Sequence, residues 1–379
     1  MRKDSSSPHS TLPFPAPQFR KRLLAWFHKE KRSLPWRRAR DPYRIWVSEI
    51  MLQQTQMATV LPYYRNFLRC FPSIEALAKA PLHRVLAAWA GLGYYTRAKN
   101  MHLAARIVMK KFGGRFPDDW ESVLALPGIG RYTAGAVLSI AFGQRYAVVD
   151  GNVERVLARL LKIRANLKTS KIQKRLWTVA ELLVPAEAPS KFNQGLMEFG
   201  ALVCLPKNPQ CGRCPLTAWC GARRHGIETE IPSPRQRQRT RDIQRLVAVI
   251  RDRNDRILLS QRRETTLMRN FWEFPSWEFK RGKPPTSIET RQSTCRLEGA
   301  LEQIFTIPLK VRGAICTFRH HITFHRIHVQ VFEVQLQNEA SLRPSIPPGM
   351  RWIPKNSLNK FLFDSASLKI LESLHDSAG

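Results

Sequence analysis

Two carboxylates stand apart from the other acidic residues by their surroundings. Glu49 lies within Tyr43-Arg44-Ile45-Trp46-Val47-Ser48-Glu49-Ile50-Met51-Leu52-Gln53-Gln54-Thr55, a largely apolar stretch that solvates a carboxyl poorly. Desolvation favours the neutral form, so the pKa of Glu49 is expected to rise into the range of a general acid near neutral pH. Asp150 follows Val148-Val149 and precedes Gly151-Asn152-Val153, the start of a helical pattern. Hydrogen-bonded there, it is expected to stay ionised. Two carboxyls with pKa values pushed apart suit the breaking of a glycosidic bond through a cationic sugar. The plainer alternatives are an N-cap for Asp150 and an arginine-paired helix residue for Glu49.

Four of the seven cysteines fall within seventeen residues. Cys204, Cys211, Cys214 and Cys220 are separated by six, two and five residues, which lets four thiolates close around one centre. Zinc and a [4Fe-4S] cluster both accept four cysteines, and spacing does not choose between them. With every ligand supplied by protein, the expected role is structural. Lys207, Arg213, Arg223 and Arg224 make the loop basic, which suits phosphate contact.

Leu126-Pro127-Gly128-Ile129-Gly130-Arg131 places two glycines between one helical pattern and the next, the form of a helix-hairpin-helix. Gly128 and Gly130 let the backbone come close to a ligand, and free amides at the next helix start favour a phosphate. Sequence-independent grip on a DNA backbone is the expected use.

These residues need elements to hold them. From Phe19 to about Arg224 the apolar period is helical, as in Val153, Val156, Leu157, Leu160 and Leu161. Asp118 is the expected cap of a helix over 120–126, and Asp150 to Asn152 open the next. Residues 225–241, rich in Pro, Arg and Gln, read as a basic linker. Beyond them the period becomes two: Leu246 to Ile250 and Ile257 to Leu259 flank Asp252 to Asp255 as a hairpin, and Ile327, Val329 and Val331 alternate with polar residues. A last helix is expected over Ser365 to Leu374. The chain is thus a leader (1–17, disordered), a helical domain (18–224), a linker (225–241) and an α+β domain (242–379).

The chain has 379 residues, enough for two or three domains at about 150 residues each. Its 62 basic residues against 29 acidic ones give a formal charge of +33, a field that draws polyanions. No apolar run of about 18 residues or secretory pattern occurs, so the expectation is a cytoplasmic, nucleoid-associated protein without a membrane partner.

Taken together, the glycine hairpin, Asp150 and the cysteine cluster resemble the endonuclease III superfamily of DNA glycosylases. Leu34-Pro35-Trp36-Arg37, Trp46-Val47-Ser48-Glu49 through Gln56, Gly91-Leu92-Gly93-Tyr94-Tyr95 and Val149-Asp150-Gly151-Asn152-Val153 resemble its adenine DNA glycosylases. The resemblance runs from Phe19 to Cys220 and resumes at Phe271-Trp272-Glu273-Phe274-Pro275. It implies an all-α helix-hairpin-helix glycosylase domain with an iron-sulfur loop, followed by an α+β Nudix-like domain. The implied substrate is double-stranded DNA carrying adenine opposite 8-oxoguanine or guanine, bound by a monomer with one [4Fe-4S] cluster.

Residue by residue, the resemblance makes Glu49 the acid that protonates adenine at N7 and Asp150 the stabiliser of the sugar cation. It puts Asn152 near the water and Tyr132 beside the acid. Arg37 and Glu198 line the adenine pocket with Trp36 and Leu52 nearby, and Gln54 and Tyr94 wedge into the base stack. Bifunctional relatives carry a lysine nucleophile at position 132, a role a phenol cannot take, so the chain is expected to leave an abasic site without cutting the strand. Arg131 is no substitute, because a guanidinium does not readily lose its proton.

The second domain resembles the Nudix-like lesion reader of the same family. Where Nudix hydrolases carry an acid-rich metal-binding helix, only Arg296-Leu297-Glu298-Gly299 is found between Phe274 and Glu302. Pyrophosphatase activity is therefore not expected. At the lesion loop Ile322-Thr323-Phe324 replaces the family's Phe-Ser-His, leaving Thr323, His321 or His325 to read the damaged base. The rival readings are a relative acting on oxidised pyrimidines and a non-catalytic DNA-binding module with zinc in the cysteine loop.

Overall fold

The computed structural model describes residues 12–38, 40–233, 240–252, 254–262, 271–280, 289–305, 309–322, 325–336, 346–361 and 363–376. They form two compact units, Met1–Gln236 and Arg237–Gly379. The disorder expected for 1–11 lies outside the described residues. Among the described residues, no helix is long and apolar enough to cross a membrane.

The first unit is helical. Its first six helices are α1 (Ala16–Glu30), α2 (Pro42–Leu52), α3 (Met57–Cys70), α4 (Ile74–Lys79), α5 (Leu82–Trp89) and α6 (Thr96–Phe112). There follow α7 (Trp120–Leu124), α8 (Arg131–Ile140), α9 (Gly151–Leu160), α10 (Ser170–Leu183), α11 (Pro189–Leu202) and α12 (Gly221–Arg224). The glycine hairpin joins α7 to α8.

Local chemistry explains the starts that matter. Pro42 opens α2 behind Asp41, whose carboxylate accepts the Tyr43 and Arg44 amides. Asp150 caps α9 by accepting the Val153 amide at 2.7 Å. Tyr43 and every residue from Ile45 to Met51 are buried, as is every residue from Val153 to Leu160, so α2 and α9 are central helices without a wet face. The packing of α8 and α11 near them depends on small residues. A Cβ at Gly135 of α8 would collide with the Ala147 carbonyl oxygen, and one at Gly200 of α11 would stand 2.7 Å from the Asn152 Cβ.

Three boundaries differ from those read in the sequence. Phe14, placed in the leader, is buried and stacks on Phe19 with centroids 5.0 Å apart, so helical packing begins before residue 18. Residues 225–233, placed in the linker, stay with the helical unit because Ile227 and Ile231 enter its core and the Arg159 guanidinium donates to the Ile231 carbonyl. Arg241 already belongs to a strand. The cap of α7 is Asp119 rather than Asp118: its side chain accepts the Ser122 amide at 2.8 Å.

The second unit holds β1 (Arg241–Arg251), β2 (Arg256–Gln261), β3 (Trp272–Glu273), β4 (Ser276–Lys280), β5 (Leu309–Ile322), β6 (His325–Leu336) and β7 (Met350–Pro354). Two helices, α13 (Glu289–Glu302) and α14 (Ser365–Asp376), accompany them. The sheet order is β3-β2-β1-β6-β5, with β4 beside β1 and β7 beside β2. β1 runs antiparallel to β2 and β4 and parallel to β6.

Each face of the sheet has its own core. Val247, Val249, Val329 and Val331 pack with Ile370 and Leu374 of α14, while Leu246, Ala248, Ile250 and Phe332 pack with Leu297 and Leu301 of α13. Two polar alternates on β6, His328 and Gln330, are therefore not wet, whereas Arg326 and Glu333 are exposed. Gln330 is buried and joins Gln244 and Ser293 in a closed hydrogen-bonded set, which satisfies those groups beneath α13.

The collision at Gly135 makes Gly135→Ala a test of the helix packing. The substitution is expected to lower stability by about 1–3 kcal/mol through overpacking, read as a fall in Tm. An unchanged Tm would contradict the close approach.

Candidate active site

One cleft of about 950 Å3 gathers residues from six parts of the helical unit. Trp36 and Arg37, Glu49 and Leu52, Gln54, Tyr132, Asp150 and Asn152, and Glu198 all line it. Tyr94 is outside this set and is 48 % exposed. Both Gln54 and Tyr94 adopt left-handed backbone, with φ of 57° and 49°.

Glu49 projects from the centre of α2 and is 5 % exposed. Tyr132, expected beside the acid, lies in the first turn of α8, and its hydroxyl donates to Oε2 at 2.5 Å, the place that the plainer alternative gave to an arginine. Burial raises the Glu49 pKa to about 7; the Tyr132 bond and Arg37 oppose the rise, and the Asp150 charge adds to it. The same burial, with the two carboxylates nearby, pushes the Tyr132 phenol well above its usual value, which keeps it a donor.

Asp150 also departs upward from its ordinary value, because it too is buried. Donors favouring its charged form hold the rise back: the Val153 amide on Oδ1 at 2.7 Å and the Asn152 side-chain amide on Oδ2 at 2.9 Å. The carboxylate is thus a helix cap and a cleft residue at once.

Glu198 is 2 % exposed and bound by two arginines. Arg32 donates from Nε at 2.9 Å and Nη2 at 2.6 Å, and Arg37 from its two Nη atoms, each at 3.0 Å. Burial alone would raise this carboxyl, yet the two guanidiniums hold it down at about 2. Sequence reading set Arg37 and Glu198 in one pocket but did not pair them, and it missed Arg32, since nothing in the spacing marks a contact made across 166 residues.

Arg155 and Arg159, one turn apart on α9, were also missed. The Arg155 guanidinium donates to Asn152 Oδ1 at 2.9 Å, the Gly200 carbonyl at 2.8 Å and the Cys204 carbonyl at 2.8 Å. Arg159 donates to the Leu205 carbonyl at 2.6 Å and to Cys204 Sγ at 3.3 Å. Two cations in an otherwise apolar helix face were the available signal. Through Arg155, the start of the cysteine loop is tied by hydrogen bonds to the group that orients Asp150.

Cys204, Cys211, Cys214 and Cys220 line one small cavity with Val156, Leu160, Phe199 and Leu216. None forms a disulfide. Burial pushes Cys214 up to about 12 and raises Cys211 and Cys220, with repulsion among the thiolates adding to each. Four ionised sulfurs here need a cationic centre. Among the described residues, no three His, Cys, Asp or Glu side chains are grouped to hold a single metal ion. The donor set fits a polynuclear iron-sulfur centre, which takes four cysteines.

In the hairpin, Gly128 has φ of 79° and a Cβ there would stand 2.8 Å from the Asn100 Cβ. Gly130 caps α8 in extended conformation with open space before it, so its backbone is approachable from outside. Arg131 is turned away to α10, where it stacks 4.0 Å above Trp177 and pairs with Glu181 at 2.6 Å. In the second unit, His321 is exposed at the end of β5 and His325 is half-buried at the start of β6; Thr323 lies outside the described residues.

Comparison with known proteins follows this division of the chain. Residues 47–181 match the HhH-GPD superfamily of base excision DNA repair proteins, 204–220 the iron-sulfur binding domain of endonuclease III, and 246–373 a NUDIX domain. The adenine DNA glycosylase of Homo sapiens is 33% identical over 93% of this chain and 73% of its own length. That of Buchnera aphidicola subsp. Schizaphis graminum (strain Sg) is 36% identical over 69% of this chain and 76% of its own. Among solved structures, a thermostable thymine-DNA glycosylase is 34% identical with a TM-score of 0.51, covering 55% of this chain and 97% of that one.

The buried carboxyl predicts its own pH dependence of stability. A folded pKa of about 7, above the ordinary carboxylate value, means that the contribution of Glu49 is fully present below about 4.5 and lost as pH rises through about 7. Glu49→Gln removes that loss. Its stability relative to wild type is expected to improve by on the order of 1–3 kcal/mol between pH 5 and pH 8 in denaturant titrations. Parallel pH dependence of the two proteins would contradict a raised Glu49.

Proposed function

The chain belongs to the adenine DNA glycosylases, and from that premise we propose that it removes adenine mispaired with 8-oxoguanine or guanine in double-stranded DNA, leaving an abasic site. The observation that carries the reading is the buried Glu49, raised to about 7 and bonded by Tyr132, facing Asp150 in a cleft that no lysine lines among the described residues.

The chemistry follows from that arrangement. Adenine must leave the base stack to reach the cleft, at a cost of a few kcal/mol. Gln54 and Tyr94, on strained left-handed backbone at the mouth of two loops, fill the space it vacates. Trp36 and Leu52 enclose the base, and Arg37 and Glu198 present polar groups to its edge. Near pH 7 a proton on Glu49 is available for N7, which turns the base into a better leaving group. Asp150 accepts from Val153 and Asn152, donors that favour its charged form against burial, and stabilises the oxocarbenium charge. Asn152, held by Arg155, faces the position of the attacking water.

The monofunctional outcome rests on position 132. An amine nucleophile is required for a Schiff base. Tyr132 is engaged with Glu49, and the Arg131 guanidinium is engaged with Trp177 and Glu181.

The four cysteines would hold one [4Fe-4S] cluster, which when bound cross-links residues 204–220. The match of residues 204–220 to the iron-sulfur binding domain of endonuclease III supports this over zinc. Gly128 and Gly130 offer backbone amides to a phosphate, and His321, Thr323 and His325 are the residues assigned to the damaged base. Monomeric action on one lesion completes the reading.

The decisive experiment is single-turnover release from duplexes with A opposite 8-oxoguanine, G, C or T, each divided between hot alkali and none. Release from the first two, with breaks after alkali alone, is expected; breaks without alkali would overturn the monofunctional reading. The rate should fall as pH rises through about 7, and Tyr132→Phe, which removes a bond favouring ionised Glu49, should move that fall to higher pH. The purified protein should contain four irons and absorb visible light, and a colourless zinc protein would overturn the cluster assignment.

A further inference from the structure

The wedge residues Gln54 and Tyr94 sit on separate loops, and one side chain ties those loops together. The helix α2 ends with carbonyls that have no partner inside the helix. Arg97, in the first turn of α6, supplies the donors: Nη1 donates to the carbonyls of Ile50 at 3.0 Å, Met51 at 2.9 Å and Gln53, and Nη2 to Thr55 Oγ1 at 3.2 Å. From the same guanidinium, Nη2 also donates to the carbonyls of Leu92 and Gly93, each at 3.2 Å. One planar fork therefore grips the residues on both sides of Gln54 and the two residues before Tyr94.

Aromatic rings complete the grip. The guanidinium lies 5.3 Å from the Trp89 ring centroid and 5.5 Å from that of Tyr94, and the Trp89 indole donates to the Gly93 carbonyl at 3.1 Å. Among the described residues the hydrogen-bond partners of Arg97 are backbone oxygens and one hydroxyl rather than a carboxylate. An arginine used in this way is not balancing charge; it is fixing the course of the chain. Both of the gripped loops contain a non-glycine residue in left-handed backbone, a conformation that persists where surrounding structure imposes it.

We propose that Arg97 is a positioning residue that holds the Gln54 and Tyr94 loops at one separation and in their left-handed conformations, and thereby acts on extrusion of adenine rather than on cleavage of the bond. The proposal rests on the reading of Gln54 and Tyr94 as wedges. A lysine keeps the charge but replaces the rigid fork with a single nitrogen that cannot serve both loops.

The test uses the whole protein and two duplexes with adenine opposite 8-oxoguanine, one fully paired and one with mismatches flanking the target so that it stacks poorly. Arg97→Lys is expected to slow single-turnover release about tenfold or more on the paired duplex and by less than about threefold on the loosened one. The fluorescence rise of 2-aminopurine beside the target should slow in step, and the midpoint of the pH profile should not move. Equal losses on the two duplexes, or a shifted midpoint, would overturn the proposal, since a general staple slows both substrates and an effect through Glu49 moves the titration. If Arg97→Lys does not fold, Thr55→Val removes one partner of the fork while keeping the side chain's shape, and a smaller loss confined to the paired duplex is expected by the same readouts. Gln54→Ala and Tyr94→Ala separate the two levels. Full rates for both on the paired duplex would sink the wedge reading and this proposal with it, whereas losses in both with none in Arg97→Lys or Thr55→Val would sink the proposal alone.

Discussion

Desolvation of Glu49 is the constraint on which the rest of the helical unit depends. A carboxyl at the centre of a helix with no wet face costs stability when ionised, and the chain retains it there. Everything around it limits that cost without abolishing it. Tyr132 gives one short hydrogen bond, Arg37 gives distant charge, and neither restores the ordinary acidity of the group. A stronger partner, such as the paired arginines on Glu198, would hold the proton off altogether. The two buried glutamates of this cleft thus show opposite solutions to one problem, and the difference lies in the number of guanidiniums within reach.

The basic excess has more than one use. Much of it is a field for a polyanion, but several arginines are spent inside the fold on backbone carbonyls. Arg97 takes the end of α2, Arg155 joins Asn152 to the cysteine loop, and Arg159 fastens residues 204–206 and 231. Apart from the bonds to Asn152 and Ile231, these contacts lie where the chain leaves α2 or α11 and its carbonyls lack helical partners. The cleft is assembled from loops as much as from helices, and these forks give the loops a fixed course.

In the second unit the same economy is made with neutral groups. Gln244, Ser293 and Gln330 satisfy one another between the sheet and α13. Few acids stand on α13, in keeping with the absence of the acid-rich Nudix pattern from its sequence. The domain keeps the layered architecture while its buried polar positions are filled with amides and a hydroxyl.

What the sequence by itself determined were the features that depend on neighbours in the chain. Helical and two-residue periods separated the two units, the glycines marked the hairpin, the cysteine spacing marked the loop, and the apolar setting of Glu49 announced a raised pKa. Asp150 was legible as a cap for the same reason, because capping is a contact across three residues. Alternation on β6 was visible too, although period two names faces and not which face is wet; α13 decided that. Tertiary structure alone decided the partners. Tyr132 reaches Glu49 across 83 residues, Arg32 reaches Glu198 across 166, and Arg97 reaches Ile50 across 47. Packing also drew Phe14 from the expected disordered leader and Ile231 from the expected linker into the core, since a single apolar side chain in a polar stretch gives no period to read. Local pattern records the preferences of the backbone and the burial of a face, whereas a hydrogen bond between distant residues leaves no trace in either until the chain has closed on itself.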